Sequence, residues 1–351
     1  MAYLSHILGS VEDWTMDKRF AIRGANTPND VVVVAIDDKS LGELGQWPFL
    51  RRYHARLIKK VADDRSRTIA FDIQFTEPSD PADDSALIGA VAGADLQARI
   101  AHPGRNSGQV VLGTTEVSQN GGTAVIATSA RAGFTMLRPS RHAVLRTLSW
   151  GSGTTWKNDE PAIPLESFAL AAVELATGQP IPLSRIGDAT PIAYVGPPGT
   201  VPTYSYTDVL HDRVPAGTFK DKVVVVGATA NSLGDVHPTP YGADRPMGGP
   251  EIEANAIETA LRNFPLQPSR TRNLLLIVLF SFLVPIASLF LRRRWCALMA
   301  ALAAALYLVA AQVSFDHGVL LPAVWPLVAL ALSTLAASFL RPPRHVRPTA
   351  G

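Results

Sequence analysis

The apolar positions of this chain fall into runs bounded by charge. In "DVVVVAID" (30–37) both faces of an extended strand are apolar and Val dominates, which predicts a strand buried in a parallel sheet. "TIAFDIQF" (68–75) and "QVVLGTTE" (109–116) predict a second and a third strand, and "DKVVVVGATA" (221–230) repeats the Val-rich character. Helical spacing appears between them. Leu50, Tyr53, Leu57, Ile58 and Val61 share one face, with Arg51, Arg52, Lys59 and Lys60 on the other. "DDSALIGAVAGA" (83–94) predicts a helix, and "PLESFALAAVELATG" (164–178) predicts another, closed by Gly178. "PEIEANAIETALRNF" (250–264) predicts a last amphipathic helix. Ser40 and Glu43 have capping-box spacing for a short helix ended by Gly45. Strands alternating with helices predict an α/β domain over 1–268, with one mostly parallel sheet shared by both halves.

The pattern then changes. "LLLIVLFSFLVPIASLFL" (274–291), "WCALMAALAAALYLVAAQVS" (295–314) and "VLLPAVWPLVALALSTLAASFL" (319–340) carry no formal charge. Eighteen helical residues span about 27 Å, close to the ~30 Å hydrocarbon core of a bilayer. Three transmembrane helices are expected, and their proline residues do not argue against this. Arg292, Arg293 and Arg294 fall between the first two helices, and Arg341, Arg344 and Arg347 lie in the tail 341–351. Only Arg262, Arg270 and Arg272 lie on the opposite side, so the tail is expected in the cytoplasm and the α/β domain outside it, in a multi-pass inner-membrane protein. Residues 1–24 contain no apolar core of signal-peptide or anchor length.

Composition removes other classes. A formal charge of +2, with no basic run interleaved with aromatics, argues against a nucleic-acid partner. One cysteine, Cys296, excludes an internal disulfide and a cysteine-based zinc site.

The candidate chemistry is acidic. Ligands of open parallel sheets bind outside the carboxyl ends of the strands. Asp37 and Asp38 end the first strand, Asp72 lies in the second, Glu77 follows it, and Asp235 follows the strand ending at Val226. Converging carboxylates raise one another's pKa unless a cation or arginine offsets them, so the cluster invites Ca²⁺, Mg²⁺ or a basic ligand. Trp47 and Arg51 complete the candidate ligand-binding set, with core packing the alternative for Trp47 beside Pro48. The structural alternative is that Asp37 and Asp72 cap turns, accept backbone N–H groups, or pair with Arg51 or Arg52. "GPPG" (196–199) and "GATANSLGD" (227–235) lack the Gly-Lys-Ser/Thr of a phosphate loop and read as turns. No nucleophile elbow is present, so no catalytic residues are assigned.

"VVVVAIDDKSLGELGQWPFLR", "IAFDIQFTEP" and "YVGPPGTVPTYSYTDVLHDRVPAGTFKDKVVVVGATANSLGDVHPTPYGADRPMGGPEIEANAIE" resemble a CHASE domain of the second type, a bacterial sensory extracellular family. The resemblance covers residues from about 11 to 265, in the order of the family's motifs, and the three helices after it fit the family's layout. It implies an extracytoplasmic sensor that signals across the membrane to a cyclase, kinase or phosphatase. This sequence departs from the pattern in three ways. An N-terminal transmembrane helix is not seen. "RPSRHAVLR" (138–146) replaces an acidic Asp-x-Asp-Gly turn and keeps an arginine, Arg146. No output domain follows the last helix. The expected function is therefore sensing or interaction through a partner chain or a homo-oligomer, with membrane lipid around the helices. The alternatives are a structural subunit of an envelope assembly, or a metal-dependent hydrolase using Asp37, Asp72 and Glu77 as ligands and Asp38 as base.

Overall fold

The computed structural model describes residues 2–75, 78–101, 109–114, 130–135, 137, 143–148, 150, 156–157, 160–161, 166–182, 186 and 190–339. The chain divides into two compact units, Phe20–Pro265 and a second formed by Met1–Arg19 with Leu266–Gly351. The first helix, α1 (Ala2–Arg23), contributes residues to both.

The Phe20–Pro265 unit is built on six parallel strands: β1 (Val31–Ile36), β2 (Thr68–Asp72), β3 (Val110–Thr114), β4 (Arg131–Phe134), β7 (Thr203–Ser205) and β8 (Val223–Ala228). Two-residue strands β5 (Trp156–Lys157) and β6 (Glu160–Pro161) pair apart from the sheet, as do β9 (Val236–Thr239) and β10 (Gly242–Gly248). The main order is β4-β3-β2-β8-β1-β7. Both halves of the sequence thus share one sheet, and the late strand β8 lies between β1 and β2. Val223–Val226 pair with Val31–Val34 on one side and Thr68–Phe71 on the other, and every one of these residues is buried.

Helices cover both faces. Val32, Val34, Ile36, Ile69, Phe71, Val224 and Val226 pack with Leu57, Ile58 and Val61 of α3 (Arg51–Asp63) and with Leu87 and Val91 of α4 (Pro81–Ala101). The alternate residues face the other way, as strand geometry requires, toward α5 (Phe168–Thr177) and α7 (Gly249–Leu261). Short helices α2 (Asp38–Leu44) and α6 (Tyr206–Leu210) follow β1 and β7. Helix α5 has Ser167 as N-cap and Gly178 in the left-handed conformation at its end, at φ 69°. Helix α7 differs from the amphipathic expectation: all residues from Gly249 to Ala260 are buried. Glu251, Asn255 and Thr259 find partners inside the protein, and Glu258 pairs with Arg262.

The second unit holds α8 (Arg270–Phe290), α9 (Arg293–Asp316) and α10 (Val324–Phe339). At ~1.5 Å per residue, α8 reaches about 31 Å and α9 about 36 Å, and both are apolar enough to cross a membrane. Leu289 and Phe290 are 76% and 83% exposed, as side chains facing lipid are. The apolar α10 has 16 residues, about 24 Å. It starts five residues later than the apolar pattern predicts, because 319–323, containing Pro322, are not helical. Ser333 Oγ donates to the Phe280 carbonyl at 3.2 Å, and the Phe280 and Tyr307 rings lie 4.8 Å apart. By their contacts residues 1–19 group with this unit. The Glu12 carboxylate accepts the N–H groups of Ala323 and Val324 at 2.7 and 2.8 Å, satisfying orphan donors at the start of α10. Arg19 donates to the Leu321 carbonyl at 2.6 Å.

Candidate functional site

The carboxylates that follow the strands have different fates. Asp37 is the N-cap of α2, so Ser40 is not the capping residue that its spacing suggested. Asp37 Oδ1 accepts the Ser40 N–H at 2.9 Å, the Ser40 hydroxyl at 2.6 Å and the Ser205 hydroxyl at 2.8 Å. Its charge ties β1, α2 and the end of β7 together. Glu43 instead pairs with Arg213 and accepts from Thr207. Asp38 lies in the exposed first turn of α2, where the helix dipole favours an acid.

Asp72 ends β2 opposite Gly227 of β8 and opens into a cleft of about 600 Å³. The cleft sits at the carboxyl edge of these two central strands, where open parallel sheets bind ligands. Trp47, Phe49 and His54 line it from one side, Phe75 from the segment after β2, and Asp235 from the segment after β8. Four candidates, Trp47, Arg51, Asp72 and Asp235, therefore line one cavity. Asp37 and Asp38 do not line it, and Glu77 lies outside the described residues.

The cleft's charges are distributed unevenly. Arg51 pairs with Asp84 at 2.6 Å, and Arg52 pairs with Asp83 at 3.0 Å, so neither makes the salt bridge to Asp37 or Asp72 that the structural alternative named. His54 is 1% exposed, and its Nδ1 shares a hydrogen bond with the Tyr206 hydroxyl at 2.9 Å. Burial, and then the nearby Arg51, push the imidazole down to about 3, so it is neutral at physiological pH. Asp72 accepts no hydrogen bond to its carboxylate from any described residue. Burial, with Asp235 adding to it, pushes its pKa up to about 8.

A third carboxylate escaped the sequence reading. Glu253 of α7 is 1% exposed, and its Oε2 has no hydrogen-bond partner among the described residues. Burial first, then Asp72 and Asp235, hold its pKa well above the usual carboxylate range. Two glycines permit this assembly. A Cβ at Gly249 would overlap the Asp235 carboxylate, so only glycine lets that carboxylate sit at the start of α7. A Cβ at Gly227 would lie 2.5 Å from Pro250 Cγ, so glycine also lets α7 approach the end of β8. Asp235 Oδ1 lies 3.1 Å from His237 Nε2. Among the described residues, no group of three His, Cys, Asp or Glu is arranged to hold a metal ion.

The Gly-Pro-Pro-Gly turn does present N–H groups to an anion, but the anion is internal. Glu251 accepts from Gly199 N–H at 2.8 Å and Val201 N–H at 3.3 Å. One and two helical turns further on, Asn255 Oδ1 accepts from Val195 N–H and Thr259 Oγ1 from Ala193 N–H, each at 2.9 Å. This i, i+4, i+8 row on α7 satisfies the backbone of 193–201 where no neighbouring strand does.

No curated protein and no solved structure matches this chain. Residues 1–287 match the CHASE2 domain, a sensory extracellular family that is not catalytic. With a match over most of its length, on a parallel α/β unit followed by apolar helices, this chain belongs to the CHASE2 family.

Proposed function

We propose that the protein is a membrane-anchored extracytoplasmic sensor whose ligand site is the cleft between the ends of β2 and β8. It acts through a partner chain or by assembling with copies of itself. The observation that carries this reading is Asp72. The half-buried Asp72 carboxylate accepts no hydrogen bond from the described residues, which costs stability, and it faces an aromatic-walled cavity at the edge where parallel sheets bind ligands. Membership of a sensory family supports the same role. The anchor in this reading is α8, α9 and α10 as three membrane spans, with Arg292–Arg294 in the cytoplasm and Phe20–Pro265 outside it.

Thermal unfolding of the full chain in lipid nanodiscs, against a panel of small metabolites, tests the site. At least one compound should raise the midpoint of the wild type and leave Trp47→Ala unchanged. Equal shifts in both proteins would move the site elsewhere. Topology is tested with an impermeant thiol reagent on intact cells, in a Cys296→Ala background. Asp244→Cys should be labelled and Arg294→Cys protected; the reverse pattern would place the sensor in the cytoplasm.

A further inference from the structure

Resting on the reading of the β2–β8 cleft as a ligand site, we propose that its occupant is a small organic ammonium ion. The head group sits between Asp72 and Asp235, and the carbon body lies against the rings of Trp47, Phe49 and Phe75.

The cleft's own charges select the sign. Arg51 pairs with Asp84, and His54, hydrogen-bonded to Tyr206, is neutral. Asp80 is committed to the start of α4, where it accepts the N–H groups of Ala82 and Asp83 at 2.9 and 3.2 Å. Asp72 has no such use. Behind it Glu253, 1% exposed, holds an oxygen with no partner among the described residues and interacts electrostatically with Asp72 and Asp235. An anion brought here would oppose the ionisation of three acids, Glu253 buried and Asp72 and Asp235 half-buried. A cation would relieve them.

The walls select the kind of cation. Ca²⁺ takes six to eight oxygen ligands, and Mg²⁺ demands near-ideal octahedral oxygen geometry. The rings opposite Asp72 offer none, and no metal-holding group occurs among the described residues. An ammonium group carried on carbon suits both sides, because carboxylates accept its N–H groups and aromatic faces attract its charge. One ring already plays that part: the Arg51 guanidinium lies 5.7 Å from the Phe75 centroid. The volume of about 600 Å³ falls within the range of small-molecule sites, roughly 300–1,000 Å³.

The test is calorimetry on the full chain in nanodiscs at about pH 8.5, above the titration of Asp72, with benzylammonium, its neutral counterpart benzyl alcohol, Ca²⁺ and Mg²⁺. Benzylammonium should bind saturably and at least about ten-fold more tightly than benzyl alcohol. Asp72→Asn, which keeps the side chain's shape, should weaken benzylammonium by about ten-fold or more and leave benzyl alcohol unchanged. Trp47→Ala should weaken it as well, and cooperative thermal unfolding of both variants confirms that they fold. Equal affinity for the two compounds, no saturable benzylammonium binding, or no effect of Asp72→Asn would overturn the proposal. Binding of a neutral or anionic metabolite that Trp47→Ala abolishes would refute the ammonium class and keep the cleft as a ligand site. No cleft-dependent binding by any compound would defeat both readings.

Discussion

Asp37 and Asp72 end neighbouring regions of one sheet and have opposite roles. Asp37 follows β1 and accepts three hydrogen bonds that fix a helix and an adjacent strand. Asp72 ends β2, one strand beyond β8, and accepts none from the described residues. Both follow buried apolar strands, and the difference arises in what the chain does next. After β1 it turns at once into α2, whose free N–H groups need an acceptor. After β2 it runs along the cleft, and the facing helix α7 brings a further acid, Glu253, in place of a donor. A carboxylate at a strand end is therefore structural or available for a ligand according to the element that meets it.

The widest separation between these two kinds of carboxylate should come from Glu251. It stands with Asp37 on the partnered side, accepting backbone N–H groups of Gly199 and Val201. Glu251→Ala removes the acceptor of the exposed Gly199 N–H and strands the buried Val201 N–H, and should cost ~1–3 kcal/mol in chemical unfolding. A loss under about 0.5 kcal/mol would show that water replaces the carboxylate. Asp37→Ala comes next, at ~1–2 kcal/mol, the usual cost of a lost N-cap. Asp37→Ser should recover most of that loss, because a hydroxyl also caps.

The central strands were legible because residues such as Val31–Ile36 and Val223–Val226 are apolar on both faces, a pattern few other elements share. Strands β4 and β7, with four and three residues, are too short to show a period. Helix α1 has no apolar run, and it is held by Glu12 and Arg19, whose partners lie near residue 320. The candidate site divides in the same way. Asp72 and Asp235 were found from their places beside strands, and the structure brings them into one cavity with Trp47. The capping role of Asp37 was hidden by the better-known spacing of Ser40 and Glu43. Glu253 was hidden because glutamates at helical spacing read as a solvent face. Only the packing of α7 against β1 and β8 shows that it is buried.

A smaller effect should come from the coupling of the unpartnered acids. Asp72 and Glu253 each raise the cost of the other's charge. In a double-mutant cycle, Asp72→Asn and Glu253→Gln should therefore be non-additive by ~0.5–1 kcal/mol, the second substitution gaining less than it does alone. Additive effects would mean that the two side chains do not sense each other.

The most direct test of the claim that Asp72 is held for a ligand is stability against pH in the ligand-free protein. Unfolded, this carboxyl titrates near its ordinary value of ~4; folded, it titrates near 8. The unfolded state therefore releases the proton first, and stability falls as pH rises from about 4 to about 8. Asp72→Asn removes that loss. Its unfolding midpoint should match the wild type near pH 4 and exceed it increasingly toward pH 8, by about 2–4 °C for each kcal/mol recovered. Asp37→Asn, measured beside it, should be no more stable than the wild type at any pH. A lower midpoint for Asp72→Asn at pH 8 would contradict the account, because it would show that this carboxylate, like Asp37, serves the fold.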